Sequence, residues 1–149
     1  MAAPRDGVYV IRNVASNTII TIGSKVDERR KAAGYAPRSG LVQQWRITKQ
    51  ADESYQITSK DDPTLFLGYD QDGFEELALI TESAPSWKLQ LVNQWIKAFY
   101  IMTPKGWVMD LSYSSPKDDT PITIYLKHGG PNQQWKLERV PLSSTSSSS

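Results

Sequence analysis

At 149 residues, with 39% hydrophobic and 22% charged residues, the chain is long enough for one domain with a real core and has an ordinary globular composition. Its 17 Lys plus Arg nearly balance 16 Asp plus Glu, which argues against an electrostatic grip on nucleic acid or anionic lipid. The absence of cysteine excludes disulfides, thiolate nucleophiles and Cys-based zinc sites. Along the chain, the opening Met1-Ala2-Ala3-Pro4-Arg5-Asp6-Gly7 has no apolar run of the kind a secretory leader needs, so a cytoplasmic protein is expected. Val8-Tyr9-Val10-Ile11 and Thr18-Ile19-Ile20-Thr21-Ile22 follow as alternating, strand-like runs. Lys25 to Ala33 is expected to form at most a turn of helix with a thin apolar face. Next come Trp45-Arg46-Ile47, Ser54-Tyr55-Gln56-Ile57, Leu65-Phe66-Leu67 and Leu77-Ala78-Leu79-Ile80, then Trp87-Lys88-Leu89. The last third contributes Phe99-Tyr100-Ile101-Met102, Ile122-Thr123-Ile124-Tyr125 and Trp135-Lys136-Leu137. Gly, Pro and Asp clusters such as Asp61-Asp62-Pro63 and Gly129-Gly130-Pro131 separate these runs. No apolar stretch approaches the roughly 20 residues of a membrane helix, so no membrane insertion is expected.

The runs repeat. Tyr9, Tyr55 and Tyr100 lie 46 and 45 residues apart, and each is followed by a tryptophan after 36, 32 and 35 residues. Three units of about four strands, near residues 6–50, 51–93 and 94–140, make an all-β, twelve-stranded, pseudo-threefold domain. One unit cannot hide its own apolar face, whereas three closing around an axis can. The repeated Tyr and Trp residues are accordingly read as layers of a common core. Residues 141–149, Pro-Leu-Ser-Ser-Thr-Ser-Ser-Ser-Ser, are low-complexity and are read as a flexible tail to a single domain over residues 1–140.

Gln43-Gln44-Trp45 and Gln133-Gln134-Trp135 are Gln-x-Trp motifs at the end of the first and third units, and Pro85-Ser86-Trp87 is a decayed copy in the second. With the segment Gly7 to Thr18, these motifs make the chain similar to the ricin-B-like (R-type) β-trefoil lectins, in particular to the small cytoplasmic lectins of mushrooms. The resemblance covers about residues 6 to 140 and implies a β-trefoil that binds sugar without catalysis. It also implies an Asp early in a competent repeat, an aromatic about fifteen residues later, and an Asn just before the Gln-x-Trp.

The third repeat keeps every part: Asp110 to accept sugar hydroxyls, Tyr125 as the stacking platform and Asn132 as an amide, with His128, Gly129 and Gln133 as further candidates from the loop. The chemistry suits a pyranose, whose hydroxyls pair with a carboxylate and an amide while its C–H face lies on an aromatic ring. The first repeat has Tyr35 at the platform position, but Thr21 and Val42 stand where Asp110 and Asn132 would. The second has Gly68 near the Asp position and Leu77 at the platform position, and is read as inactive. The resemblance further implies galactose, N-acetylgalactosamine or N-acetyllactosamine as ligand and a defensive role against animals that feed on fungi. Homodimers are common among such lectins. No cofactor is implied, and neither a phosphate-cradling loop nor ligands at metal spacing occur in the sequence. Catalysis lacks support, because the single histidine, His128, has no evident triad partners. The rival reading is a β-trefoil protease inhibitor that offers a cation from the exposed basic stretch Lys25–Arg38, which holds Lys25, Arg29, Arg30, Lys31 and Arg38.

Overall fold

Short alternating runs between turn formers become twelve strands in the computed structural model, which describes residues 3–141. The expected tail lies outside the described residues, except for Pro141. The first repeat contributes β1 (Gly7–Asn13), β2 (Ile19–Val26), β3 (Arg29–Tyr35) and β4 (Trp45–Lys49). The second contributes β5 (Tyr55–Ser59), β6 (Phe66–Gly68), β7 (Leu79–Thr81) and β8 (Lys88–Asn93). The third contributes β9 (Ala98–Met102), β10 (Val108–Leu111), β11 (Thr120–Tyr125) and β12 (Trp135–Arg139).

The first and last strands of each repeat form a closed antiparallel barrel, β12–β1–β4–β5 and β8–β9–β12, with the Tyr55–Trp87 bridge joining β5 to the start of β8. The hairpins β2–β3, β6–β7 and β10–β11 cap one end and touch one another through β3–β11, β3–β7 and the Leu77–Thr123 bridge. This is a β-trefoil. Closure leaves the barrel without an open edge, and strand alternation fills it: in β5 and β11 every second residue is buried.

The three tryptophans Trp45, Trp87 and Trp135 have no exposed surface. Burying an indole strands its N–H unless an acceptor is near. Each one donates to a carbonyl of its own repeat's second strand: Ile20 at 2.9 Å, Leu67 at 2.8 Å and Met109 at 3.1 Å. The residues after those carbonyls, Thr21, Gly68 and Asp110, are therefore structurally equivalent, as the motif spacing predicts.

The tyrosine layer needs one correction. Tyr9 and Tyr55 are core residues facing Trp45 and Trp87, but Trp135 faces Phe99. Phe99 is buried, whereas Tyr100 points outward beneath the Lys127 ammonium, 5.0 Å from its ring centroid. A one-residue offset on a strand reverses the face. The Lys25–Ala33 segment is likewise no helical turn. It is the end of the β2–β3 hairpin, turning through Asp27 in the left-handed region (φ 59°) between the paired Val26 and Arg29. Nothing apolar recurs there at helical spacing, whereas hairpin pairing continues the ladder begun at Ile19–Tyr35.

Candidate functional site in the third repeat

Asp110 lies on β10, a strand buried at all four positions, and faces Thr123 of β11. The 3₁₀ turn Pro131–Gln133, just before Trp135, brings two amides to it. Asn132 Nδ2 donates to Asp110 Oδ1 at 3.0 Å and to the Leu111 carbonyl at 3.2 Å, so both its donors are used. Gln133 Nε2 donates to Asp110 Oδ2 at 2.9 Å and to the Leu126 carbonyl at 2.8 Å, while its Oε1 accepts the amides of His128 and Gly129. His128 Nε2 stands 3.6 Å from Asp110 Oδ2, and its Nδ1 accepts the Gly130 amide. Burial pushes the Asp110 carboxyl up, against the opposing pull of the Gln133 hydrogen bond, of His128 and of Asn132. Each carboxylate oxygen keeps a lone pair after these bonds, so Asp110 can accept two more hydrogen bonds from a ligand.

Asp110 forms part of the wall of a shallow depression of about 480 Å³, together with Tyr125, His128, Asn132, Thr123, Ser112, Tyr113 and Glu75. The Tyr125 ring is backed by Phe74, centroids 4.9 Å apart, and Phe74 in turn by Trp107 at 5.5 Å. His128 meets the Tyr125 ring edge-on at 6.5 Å. Tyr113, nearly fully exposed, is held in the left-handed region (φ 55°).

Of the sequence-predicted residues, Asp110, Tyr125, His128 and Asn132 come together around this depression. Gln133 does not border it: the side chain is fully buried behind Asp110 and holds the carboxylate instead of facing solvent. Gly129 also stands off the depression. Its left-handed backbone (φ 85°) lets the loop present its amide to Gln133 and its carbonyl to Gln134. Phe74, Glu75, Ser112, Tyr113 and Thr123 carry no motif. Phe74 and Glu75 enter from the second repeat, through contacts that sequence spacing does not reveal. Asn13 of the first repeat pins the loop as well, donating from Nδ2 to the Asn132 carbonyl at 2.9 Å.

The other repeats keep the frame and lose the chemistry. In the first, Gln43 repeats the Gln133 brace: its Nε2 donates to the Ala36 carbonyl and to Thr21 Oγ1, and its Oε1 accepts the Arg38 amide. Thr21 and Arg38 thus replace Asp110 and His128. In the second, strand register places Thr81, not Leu77, at the platform position, because Gly68 pairs with Leu79 as Asp110 pairs with Thr123. Pro85 fills the space: a Cβ on Gly68 would lie 2.5 Å from Pro85 Cγ. This repeat has neither carboxylate nor room.

A larger groove of about 760 Å³ borders the β8–β9 turn, with exposed Trp95 and Ile96 beside Leu137 and Arg139. It lacks a buried carboxylate held ready for a ligand, so the chemistry favours the smaller depression. Among the described residues no three His, Asp or Glu side chains are grouped to hold a metal ion, and no helix is long and apolar enough to cross a membrane. The basic stretch Lys25–Arg38 is not a free loop. Arg29 pairs with Asp70, Lys31 with Asp119 and Arg38 with Asp118, and the backbone from Arg29 to Tyr35 pairs with β2 across a register shift between Ile22 and Lys25. These three pairs tie their cations to other repeats and weigh against offering them to a protease cleft, whereas Lys25 and Arg30 make no ion pair among the described residues.

Trefoil closure, three indole braces and a carboxylate–amide–aromatic depression define an R-type lectin architecture. Residues 2–76 match the family described as ricin-type β-trefoil lectin domain-like, and the chain belongs to that family. The third-repeat depression lies largely outside that matched span and rests on its own geometry. No curated protein sequence matches significantly. Among solved structures, the chain is similar to the Rhizoctonia solani agglutinin (22% identity, 93% of this chain and 98% of that one, TM-score 0.81). It is also similar to the Macrolepiota procera ricin B-like lectin solved with lactose (23% identity, 94% and 100%, TM-score 0.79). The C-terminal half of an earthworm R-type lectin, solved with GalNAc, is a more distant likeness (18% identity, 90% and 99%, TM-score 0.63). At these identities the likeness establishes the fold.

Proposed function

We propose that the protein is a carbohydrate-binding lectin that takes a terminal galactose-type sugar in the depression of its third repeat. The observation that carries this reading is Asp110: a carboxylate brought to the wall of an open depression, fixed by two amides, with acceptor capacity left over and an aromatic platform beside it. A pyranose diol donates to the two free lone pairs, and the C–H face of the ring lies on Tyr125, which Phe74 stiffens from behind. Because both Asn132 donors are engaged, its Oδ1 meets the sugar as an acceptor. His128 supplies a ring edge at the rim.

An axial 4-hydroxyl beside an equatorial 3-hydroxyl would present both donors to one carboxylate, which favours galactose over glucose. The lactose and GalNAc bound to the Macrolepiota and earthworm lectins agree with that preference. A few hydrogen bonds to a charged acceptor contribute about 1.5–3 kcal/mol each at best, before association costs. One shallow site therefore holds a monosaccharide at roughly millimolar Kd, and pairing of two copies would raise avidity on a glycan-covered surface. Isothermal titration with methyl galactoside and methyl glucoside tests the proposal. Saturable binding of the first and at least tenfold weaker binding of the second is expected; equal affinities would remove the role assigned to Asp110.

A further inference from the structure

The third-repeat depression contains a second carboxylate, and it comes from another repeat. Residues 75–78 run along β11 like an added strand: the Glu75 amide donates to the Ile124 carbonyl at 2.7 Å, the Ile124 amide to the Glu76 carbonyl at 2.6 Å, and Leu77 bridges to Thr123. The pseudo-threefold axis repeats this arrangement at the first repeat, where Pro121 pairs with Ala33 of β3. Thr123 and Ala33 each lie two residues before the platform tyrosine. Glu75 and Asp119 each lie two residues before the bridging Leu77 and Pro121. They are thus equivalent, and both adopt the left-handed conformation, at φ 66° and 68°.

At the first repeat the carboxylate in this position reaches the platform and is consumed there. Asp119 accepts the Tyr35 hydroxyl at 2.8 Å, the Ser24 hydroxyl at 2.6 Å and amide at 3.0 Å, and the Lys31 ammonium at 3.1 Å. The third repeat keeps the platform tyrosine, Tyr125, but lacks the other two partners. Tyr113 stands three residues after Asp110 where Ser24 stands three after Thr21, and Pro121 replaces Lys31 two residues before the strand position paired with Asp110 or Thr21. Glu75 is exposed and makes no ion pair or side-chain hydrogen bond with any described residue, and no Lys or Arg lines the depression.

We propose that Glu75 is a specificity-determining residue of this site: with Asp110 it makes the depression doubly anionic, so that it accepts uncharged galactose-type glycans and turns away those carrying sulfate or carboxylate next to the terminal sugar. The proposal rests on the lectin reading above. A ligand anion there faces two like charges at the protein surface, where repulsion is stronger than in bulk water. Removal of one of them relieves part of the discrimination.

The test is isothermal titration of the full chain and its Glu75→Gln and Glu75→Lys variants with lactose and with 6′-sulfated lactose. Glu75 is on the surface, so both variants keep the fold. The wild type is expected to prefer lactose about tenfold, a difference of about 1.4 kcal/mol. Glu75→Gln should cut that preference to about threefold, Glu75→Lys should abolish or invert it, and added salt should shrink it in the wild type. The same preference in all three proteins would overturn the assignment of Glu75 while leaving the lectin reading intact. Failure of the wild type to bind lactose at all would instead overturn the reading beneath it.

Discussion

Gln133→Ala should separate two jobs that the Gln-x-Trp motif performs. The side chain is fully buried and makes four hydrogen bonds, to Asp110, Leu126, His128 and Gly129. Three are neutral and contribute about 1 kcal/mol each; the one to the carboxylate contributes about 1.5–3 kcal/mol. Water reaches the exposed His128–Gly129 edge once the side chain is gone and recovers part of this, leaving a net loss of about 3 kcal/mol. For a chain of this size that lowers Tm by roughly 6–12 °C, and it is a large fraction of the 5–15 kcal/mol a domain typically has. Gln43→Ala removes the equivalent brace in the first repeat, where no carboxylate depends on it, and should cost about 2 kcal/mol. Urea denaturation gives both stabilities, and lactose titration under folding conditions gives both affinities. Binding should weaken at least tenfold in Gln133→Ala, because Asp110 loses a fixing partner, and should be unchanged in Gln43→Ala. Equal effects of the two variants on binding would refute the view that Gln133 positions the carboxylate.

Three further outcomes are expected. Tyr125→Ala should weaken lactose binding roughly tenfold, for a stacking contribution of about 1.5 kcal/mol, with an unaltered circular dichroism spectrum; unchanged affinity would remove the platform. Lactose affinity should fall in acid above the ordinary aspartate value of about 3.9, because burial raises the Asp110 carboxyl and a proton on it occupies an acceptor lone pair. The same raised value means that Asp110 adds most to stability below the ordinary value and loses that contribution as pH rises from there through the raised one, so the site costs stability at neutral pH; a titration midpoint at or below the ordinary value would contradict this. Asp119 behaves oppositely. Burial pushes its carboxyl up, but hydrogen bonds from Ser24, Tyr35 and Lys31 outweigh that and hold it well below the usual range. Its contribution is present above the ordinary value and lost as pH falls through the lowered one. Since about a third of the side chain is exposed, Asp119→Asn should cost only about 1 kcal/mol in urea at neutral pH, and nothing in strong acid.

Much of this architecture was legible because the trefoil writes its chemistry at fixed intervals. Asp110 and Tyr125 sit on paired strands, and Asn132 sits three residues before a tryptophan whose indole reaches back to Met109, so linear spacing maps directly onto proximity. The same logic misplaced Leu77, since the second repeat shortens the connection from platform to tryptophan to six residues (Thr81 to Trp87) from the ten between Tyr125 and Trp135. It also chose Tyr100 over Phe99, a choice of strand face that only the partner strand decides. Phe74 and Glu75 were invisible for a deeper reason. They reach the site across a repeat boundary, Phe74 against Tyr125 and Glu75 through the Ile124 carbonyl, and sequence periodicity compares repeats without saying how they touch. Charge density alone made Lys25–Arg38 look like an open loop, when Asp70, Asp118 and Asp119 from other repeats were waiting to pair with it.

The most direct test of the central claim is a glycan array probed with the wild-type protein and with Asp110→Ala side by side. The account predicts that the wild type labels glycans ending in galactose or N-acetylgalactosamine and that the variant, folded by circular dichroism, labels none of them. Binding that survives in Asp110→Ala would contradict the third-repeat site, and a silent wild type would contradict the lectin itself.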